Sequence, residues 1–339
     1  MKLDRINSSR QRALAVALDR PPAPQCEASF PDDFGRRFVV FGDAEEEFNW
    51  RAPLSREANT TEAFAALPIA NRFFIEHGVV PTYVADWPVV ANPQSAAALQ
   101  EMAAVGACDV GAHLHPWVNP PHKEIVNPAN SFAGSLPAAL EEEKLRLLTE
   151  RIAALIGTRP IAYRAGRYGV GPNTARLLAA LGYRIDASVR ARFDYSSEGG
   201  PDFTLYPIRP YWIGERLLEI PLTTCLAGPL GRFPALTRLA RLRGPLARTG
   251  LFDRIPLTPE DVPIDEAKAA VEILLDQGHR LFSLSFHTPT VVPGHTPYVR
   301  DGDDLARFWA WWDSMFDLFS RHNVTPVRSG DVYAAAAGA

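Results

Sequence analysis

The residues that could do chemistry fall into a few short runs. In Asp43-Ala44-Glu45-Glu46-Glu47, four carboxylates crowd into five residues. They repel one another unless a cation or an arginine offsets them. Alternation along an extended chain puts Asp43 and Glu45 on one side, so one could bind a metal while the other stays free to take a proton. A solvated acidic loop is the plainer alternative. In His113-Leu114-His115 two imidazoles at i and i+2 point the same way. Two His and one carboxylate, with a position left open for water, is a catalytic zinc arrangement. One core His and one surface His is the alternative. Tyr163-Arg164-Ala165-Gly166-Arg167-Tyr168-Gly169 offers an arginine able to hold a carboxylate through two parallel bonds, and glycines that let backbone N–H groups approach a substrate oxygen. Asp186 follows Gly182-Tyr183-Arg184-Ile185, and His287 ends Phe282-Ser283-Leu284-Ser285-Phe286 as a candidate general acid. His122 follows Pro120-Pro121 and reads as a loop residue.

These runs need elements to place them. Candidate strands are Phe38–Asp43, Thr82–Asp86, Asp109–His113, Ile161–Arg164, Arg184–Ser188, Leu217–Pro221, Leu281–His287 and Thr325–Arg328. Helical patterns run from Leu67 to His77, Asn92 to Val105, Ala138 to Ile156 and Pro172 to Leu181, each stopped by a glycine. The third of these places Leu145, Leu148, Ile152 and Leu155 on one face. Seven or eight such units imply a closed or nearly closed α/β barrel, whose chemistry sits where strands end. A doubly wound sheet is the alternative, but no Gly-x-Gly-x-x-Gly follows the first strand. Before Arg37, Ser8 or Ser9 could cap a short helix running to about Leu18, stopped by Pro21-Pro22-Ala23-Pro24.

The 339 residues carry 35 Lys+Arg and 39 Asp+Glu, a net charge of −4 that argues against a nucleic-acid binder. Hydrophobic residues at 47% and charged residues at 22% are a globular mixture. No apolar run approaches the roughly 18 residues of a membrane span. The run Ala13–Leu18 is too short for a signal peptide, and a cytoplasmic location is expected. Cys26, Cys108 and Cys225 are too scattered for a disulfide framework and read as buried thiols. Between residues 220 and 252, Arg232, Arg238, Arg241, Arg243 and Arg248 occur with no acid, as an anion-facing arm or a solvated amphipathic helix. Phe308, Trp311, Trp312, Met315, Phe316 and Phe319 have the spacing of a core-facing helix, with Asp301 or Asp303 as its cap. The long, Pro-rich loop from Trp117 to Pro137 is placed to shape a substrate site.

Taken together, the acid run, the His pair, Arg164 with Tyr168, and Ser285-Phe286-His287-Thr288-Pro289 resemble the polysaccharide deacetylase superfamily, the NodB-homology fold of carbohydrate esterase family 4. Ala112-His113-Leu114-His115-Pro116-Trp117, Asn130-Ser131-Phe132 and Pro293-Gly294-His295-Thr296-Pro297-Tyr298 look most like its WalW-type subgroup. Residues 1–36 read as an N-terminal arm, and the resemblance implies a distorted (β/α)7 barrel over residues 37–335, to which the long βα loops belong. It implies a divalent metal, most often zinc, held by Glu45, His113 and His115. The family's usual second His lies four residues after the first, where this chain has Trp117. It further implies Asp43 as base, Arg164 as the residue that orients it, His287 as general acid and Asp186 as the acid that tunes His287. Trp117, Tyr168 and Asn130 are expected to meet the substrate. The activity implied is removal of an N-acetyl group from an amino-sugar unit of a surface polysaccharide or its precursor. A related hydrolase of another non-peptide C–N bond, and a sugar-binding protein with a decayed site, are the alternatives. The expected partner is a carbohydrate; the oligomeric state is left open.

Overall fold

The structure, a computed structural model, describes residues 17–231, 233, 236, 249 and 251–339. The helix expected near Ser8 lies outside the described residues, as do the five arginines from Arg232 to Arg248. Eleven strands are found among the described residues: β1 Arg36–Ala44, β2 Thr82–Ala85, β3 Asp109–Leu114, β4 Ala162–Ala165, β5 Ile185–Asp186, β6 Tyr211–Ile213, β7 Leu217–Glu219, β8 Thr224–Ala227, β9 Asp253–Pro256, β10 Leu281–His287 and β11 Val324–Pro326. Eight helices accompany them: α1 Leu67–Glu76, α2 Trp87–Ala91, α3 Pro93–Ala104, α4 Ala138–Ile156, α5 Thr174–Leu181, α6 Ile264–Asp276, α7 Gly302–Arg321 and α8 Ser329–Gly338. Asn92 stands just outside α3 and caps it with its side chain. Gly157 and Gly182 close α4 and α5 in the left-handed region, at φ 85° and 91°, where a Cβ would be strained.

The main sheet runs β10-β1-β2-β3-β4-β5-β7-β6, with β11 on β1. Every pairing in it is parallel except β6 with β7. No strand pair joins β10 to β7, but single backbone bonds bridge the seam. Thr223 N donates to Ser283 O (3.1 Å), Leu257 N to Thr223 O (2.9 Å) and Ser285 N to Leu257 O (3.3 Å). The short antiparallel pair β8–β9 positions these bridging residues. Neither β6 nor the β8–β9 pair was expected. Each of these strands is three or four residues long, and β9 opens on the charged pair Asp253-Arg254.

Alternation gives the sheet two faces. Val39, Phe41, Val84, Ala162, Ile185, Ala187 and Leu218 fill the inner face, with Val332 and Ala336 of α8 in the same cluster. Phe38, Val40, Tyr83, Leu114, Tyr163 and Phe286 face outward onto the helices. There they meet Leu145, Leu148 and Ile152 of α4, all fully buried; Leu155 is only partly buried. The aromatic run of α7 is core as expected, and Asp301 caps it by accepting from Asp304 N at 2.9 Å. Residues just before β1 also pack onto the sheet. Leu18 and Cys26 are buried in the helix-side core, and Tyr206 Oη donates to Leu18 O at 2.7 Å. All three cysteines are buried and free. No helix of the described residues is long and apolar enough to cross a membrane.

Candidate active site

Register sets the first layer of the site. In the parallel ladder Asp43 of β1 sits beside His287 of β10, and His113 of β3 sits beside Arg164 of β4. All four share the parity of the inner face, so they point into the sheet's concave side near its C-terminal edge. Glu45 and His115 lie two residues further along and keep that parity.

The Nε2 atoms of His113 and His115 each lie 3.5 Å from Glu45 Oε2. Ligand atoms from these three buried residues all fall within 4.8 Å of one another. Each imidazole is held by its other nitrogen: His113 Nδ1 meets Arg164 O at 3.0 Å, and His115 Nδ1 meets Glu46 Oε2 at 2.7 Å. That leaves both Nε2 atoms free as donors to a metal, and a carboxylate behind a ligand His is a common supporting arrangement. Burial, then mutual repulsion in the case of His113, lowers the two imidazoles to about 3 and about 4, so both are neutral as ligation requires. Burial, then the charges of Glu46 and Asp43, push the Glu45 carboxyl well up, and its Oε1 is buried without a partner. A divalent cation would relieve both. The residues fit a metal.

Trp117 occupies the position expected to contact substrate, and the structure corrects this. Its ring stacks on His115 at 4.3 Å and 22° and is fully buried, backing the ligand instead of lining the cavity. Gly166 closes the other side. A Cβ there would come within 2.2 Å of His115 Cδ2 and 2.6 Å of Leu114 O.

Arg164 Nη1 donates to Asp43 Oδ1 at 2.5 Å and also to Ser285 Oγ, while Nε donates to Ala187 O at 2.9 Å. The expected two-pronged pair is therefore a single-nitrogen contact: Nη1 is shared between Asp43 and Ser285 of β10, Nε anchors the arginine to the backbone after β5, and Nη2 is buried without a partner. Burial would raise the Asp43 pKa, but Arg164, His113 and His287 outweigh it and hold the carboxyl below its usual range.

His287 Nε2 faces Asp43 Oδ2 at 3.9 Å. Its Nδ1 meets Glu260 Oε2 at 2.7 Å, and Glu260 Oε1 accepts from His287 N (2.9 Å) and Thr290 Oγ1 (2.7 Å). Burial would lower the His287 pKa; the charge and hydrogen bond of Glu260, with Asp43, raise it overall. Glu260, not Asp186, is the acid behind His287. Asp186 is one residue out of phase: its register partner is Tyr163, which faces the helices, whereas Ile185 and Ala187 face inward. Asp186 instead accepts from Ser188 Oγ beside the buried Glu219. Sequence reasoning missed Glu260 because β9, which leads into Thr258-Pro259-Glu260, was not foreseen.

These groups open onto a cavity of about 540 Å³. Phe48, Trp50, Tyr168, Tyr195 and Tyr298 form an aromatic wall, and Asn127 and Pro128 bring in the loop after β3. Tyr168 lines the cavity as expected, in a left-handed turn with Arg167 (φ 58° and 53°). Asn130 does not line it: its Nδ2 donates to Ile125 O and its N to Asn127 Oδ1, so it braces the loop. His122 is exposed on that loop.

No family model and no curated protein matches the sequence. Solved structures do. A polysaccharide deacetylase assignment from Mycobacterium smegmatis aligns at a TM-score of 0.54 and 14% identity, covering 94% of this chain and 95% of that one. Puue allantoinase aligns at 0.52 and 18%, covering 93% of each chain. A probable polysaccharide deacetylase from Pseudomonas aeruginosa PAO1 aligns at 0.51 and 17%, covering 94% of each. At these identities the likeness is one of fold. The mostly parallel α/β architecture matches the deacetylase type that the sequence motifs resemble.

Proposed function

We propose that this chain is a metal-dependent hydrolase of the WalW type that removes an N-acetyl group from an amino-sugar unit of a surface polysaccharide or its precursor. In this reading residues 37–335 form the catalytic barrel, residues 1–36 form the arm, and the enzyme works in the cytoplasm. The observation that carries it is the convergence of His113 Nε2 and His115 Nε2 on Glu45, with the Asp43–Arg164 pair and the His287–Glu260 pair beside it.

Glu45, His113 and His115 would hold the metal, most suitably zinc given two imidazoles and a carboxylate. When bound, the metal supplies Lewis acidity for a poor electrophile such as an amide. The protein's own groups do the rest. Asp43, kept ionised by Arg164, accepts the proton of the attacking water. His287 is kept protonated by Glu260 and donates from Nε2 to the amine as it leaves, since an amide nitrogen leaves poorly without a proton. The turn at Arg167-Tyr168 brings backbone to the cavity wall, where an N–H could meet the developing oxyanion.

The fold shared with an allantoinase favours a second reading, hydrolysis of another non-peptide C–N bond such as a ring amide. The intact ligand and acid–base geometry supports an enzyme over a sugar-binding protein with a decayed site. Elemental analysis of the purified protein, with a panel of N-acetylated sugars and cyclic amides, tests all three readings. We expect about one divalent ion per chain and acetate release from an N-acetyl sugar. A metal-free, inert protein would sink the enzyme reading, and ring opening without acetate release would favour the second.

A further inference from the structure

Among the described residues, the cavity wall holds one arginine that no carboxylate answers. Asp43 has Arg164, Glu260 has His287, and Glu198 at the rim has Arg167. Glu45 belongs to the ligand set. Arg190 also lines the cavity, and among the described residues its one hydrogen-bond partner is the Tyr195 hydroxyl, 3.3 Å from Nη1. Its Nε is buried with no partner. The guanidinium stacks 4.0 Å from the centroid of Phe193 and 5.5 Å from that of Tyr168. Aromatic faces hold a cation without using its N–H donors.

An unmet N–H alone is not diagnostic, since Arg56, Arg164 and Arg192 each bury one too, but an arginine placed only for packing can have its fork filled by backbone carbonyls. Arg280 shows this elsewhere in the chain, donating to Phe30 O, Pro31 O and Gly35 O. Arg190 is the reverse case: steadied by rings, half-buried, with donors to spare on the wall of the cavity that contains the candidate metal ligands. Tyr168 links the two ends, since it lies close enough to feel both Arg190 and the Arg164–Asp43 pair. Tyr298, also on the wall, feels Arg190 as well. An unanswered guanidinium beside the Tyr195 hydroxyl matches a planar carboxylate or a phosphate.

We propose that Arg190, with Tyr195 and Tyr298, binds an anionic group on the substrate, so that the substrate is an acidic N-acyl amino sugar, carrying a carboxylate or a phosphate, and not a neutral one. This rests on the amide-hydrolase reading of the same cavity.

The test uses the metal-loaded full chain and calorimetric titration with N-acetylglucosamine, its phosphate monoester, and N-acetylmuramic acid, which bears a carboxylate. At least one charged probe should bind roughly tenfold or more tighter than the neutral one, the range of a charge-assisted hydrogen bond. The charged probe with the larger advantage identifies the anion. Arg190→Gln should erase the advantage, and Arg190→Lys, which keeps the charge and loses the fork, should retain part of it. If neither charged probe binds more tightly than the neutral one, the inference is wrong, whether or not the variants fold. It is equally wrong if the advantage survives in Arg190→Gln with metal retained, since the metal would then be the anion site. The two readings fail separately. Acetate release from all three sugars at equal efficiency removes the anion subsite and leaves the hydrolase. An Arg190-dependent preference without cleavage of any amide does the opposite.

Discussion

At the scale of single residues, the site is built from pairs, and each pair makes a different prediction. His287 is the one imidazole in the cavity whose pKa is raised, because Glu260 overcomes the effect of burial. Replacing His287 by Ala should lower kcat by about 10²–10⁴-fold, the usual worth of a positioned acid. Metal content should be unchanged, because His287 is not in the ligand cluster; loss of metal in that variant would reject the role. The pH profile tests Glu260 separately. In the proposed mechanism activity needs His287 protonated, so the basic limb of kcat/KM should follow its pKa. The charged groups facing it are Glu260, Asp43 and Arg164. Removing the Glu260 charge destabilises the imidazolium, so Glu260→Gln should move the basic limb to lower pH by roughly one unit or more. A limb that stays in place would mean that Glu260 only orients the ring. Arg164→Lys probes the base. It keeps the charge beside Asp43 but cannot reach Asp43, Ser285 and Ala187 from a rigid fork. A misplaced base should cost on the order of 10²-fold in kcat with folding preserved, and near-parent turnover would reduce Arg164 to a charge.

At the scale of elements, strand parity explains both what could be read in advance and what could not. The period of two in Asp43-x-Glu45 and His113-x-His115 is visible in the bare sequence, and the register of parallel strands then places the pairs side by side. The same rule would have excluded Asp186, had its strand been phased against Ile185 and Ala187. Glu260 was beyond reach because its position depends on the short β8–β9 pair and on the seam at Thr223 and Leu257, which leave little periodic signal. Trp117 and Asn130 were misjudged for a related reason. Loop residues carry no period, so nothing in the sequence tells a residue that backs a ligand from one that lines a cavity. That loop is in turn held by a helix. Lys144 of α4 is buried, donates to Pro116 O (2.9 Å), Pro121 O (2.7 Å) and Asn119 O, and pairs with Glu124 Oε2 at 3.0 Å. Lys144→Met should strip three carbonyls of their shared donor and leave Glu124 only the more distant Arg56 Nη2 at 3.6 Å, destabilising the protein by about 3 kcal/mol, the low end for a broken buried pair. A thermal melt within a degree of the parent would show that the loop is held by something else.

At the scale of the whole molecule, one end of the sheet concentrates charge that folding alone does not favour. Asp43, Glu45, Glu46 and Asp86 are all buried at the C-terminal edges of β1 and β2. Arg164 answers the first, and backbone donors serve Asp86, at 2.7 Å from Glu46 N and 2.9 Å from Val89 N. Glu45 has only the two histidines, which are neutral. The chain therefore folds with an unanswered acceptor at its centre, and a cation that binds there binds the native state and not the unfolded one. Ligand linkage then predicts a stability gain of about 4 kcal/mol at a free metal concentration near 1,000 times Kd. For a chain of this length that amounts to several degrees of melting temperature, since each kcal/mol is worth about 2–4 °C even in somewhat smaller domains. Removing metal with a chelator should lower Tm by that amount, and zinc should restore it. The decisive comparison is His115→Ala, which removes one ligand and leaves Asp43, Arg164 and His287 in place. Its Tm should be nearly indifferent to zinc. If the variant gains as much from zinc as the parent does, the ion sits elsewhere, and Trp117 has replaced the second histidine ligand with nothing to take its part.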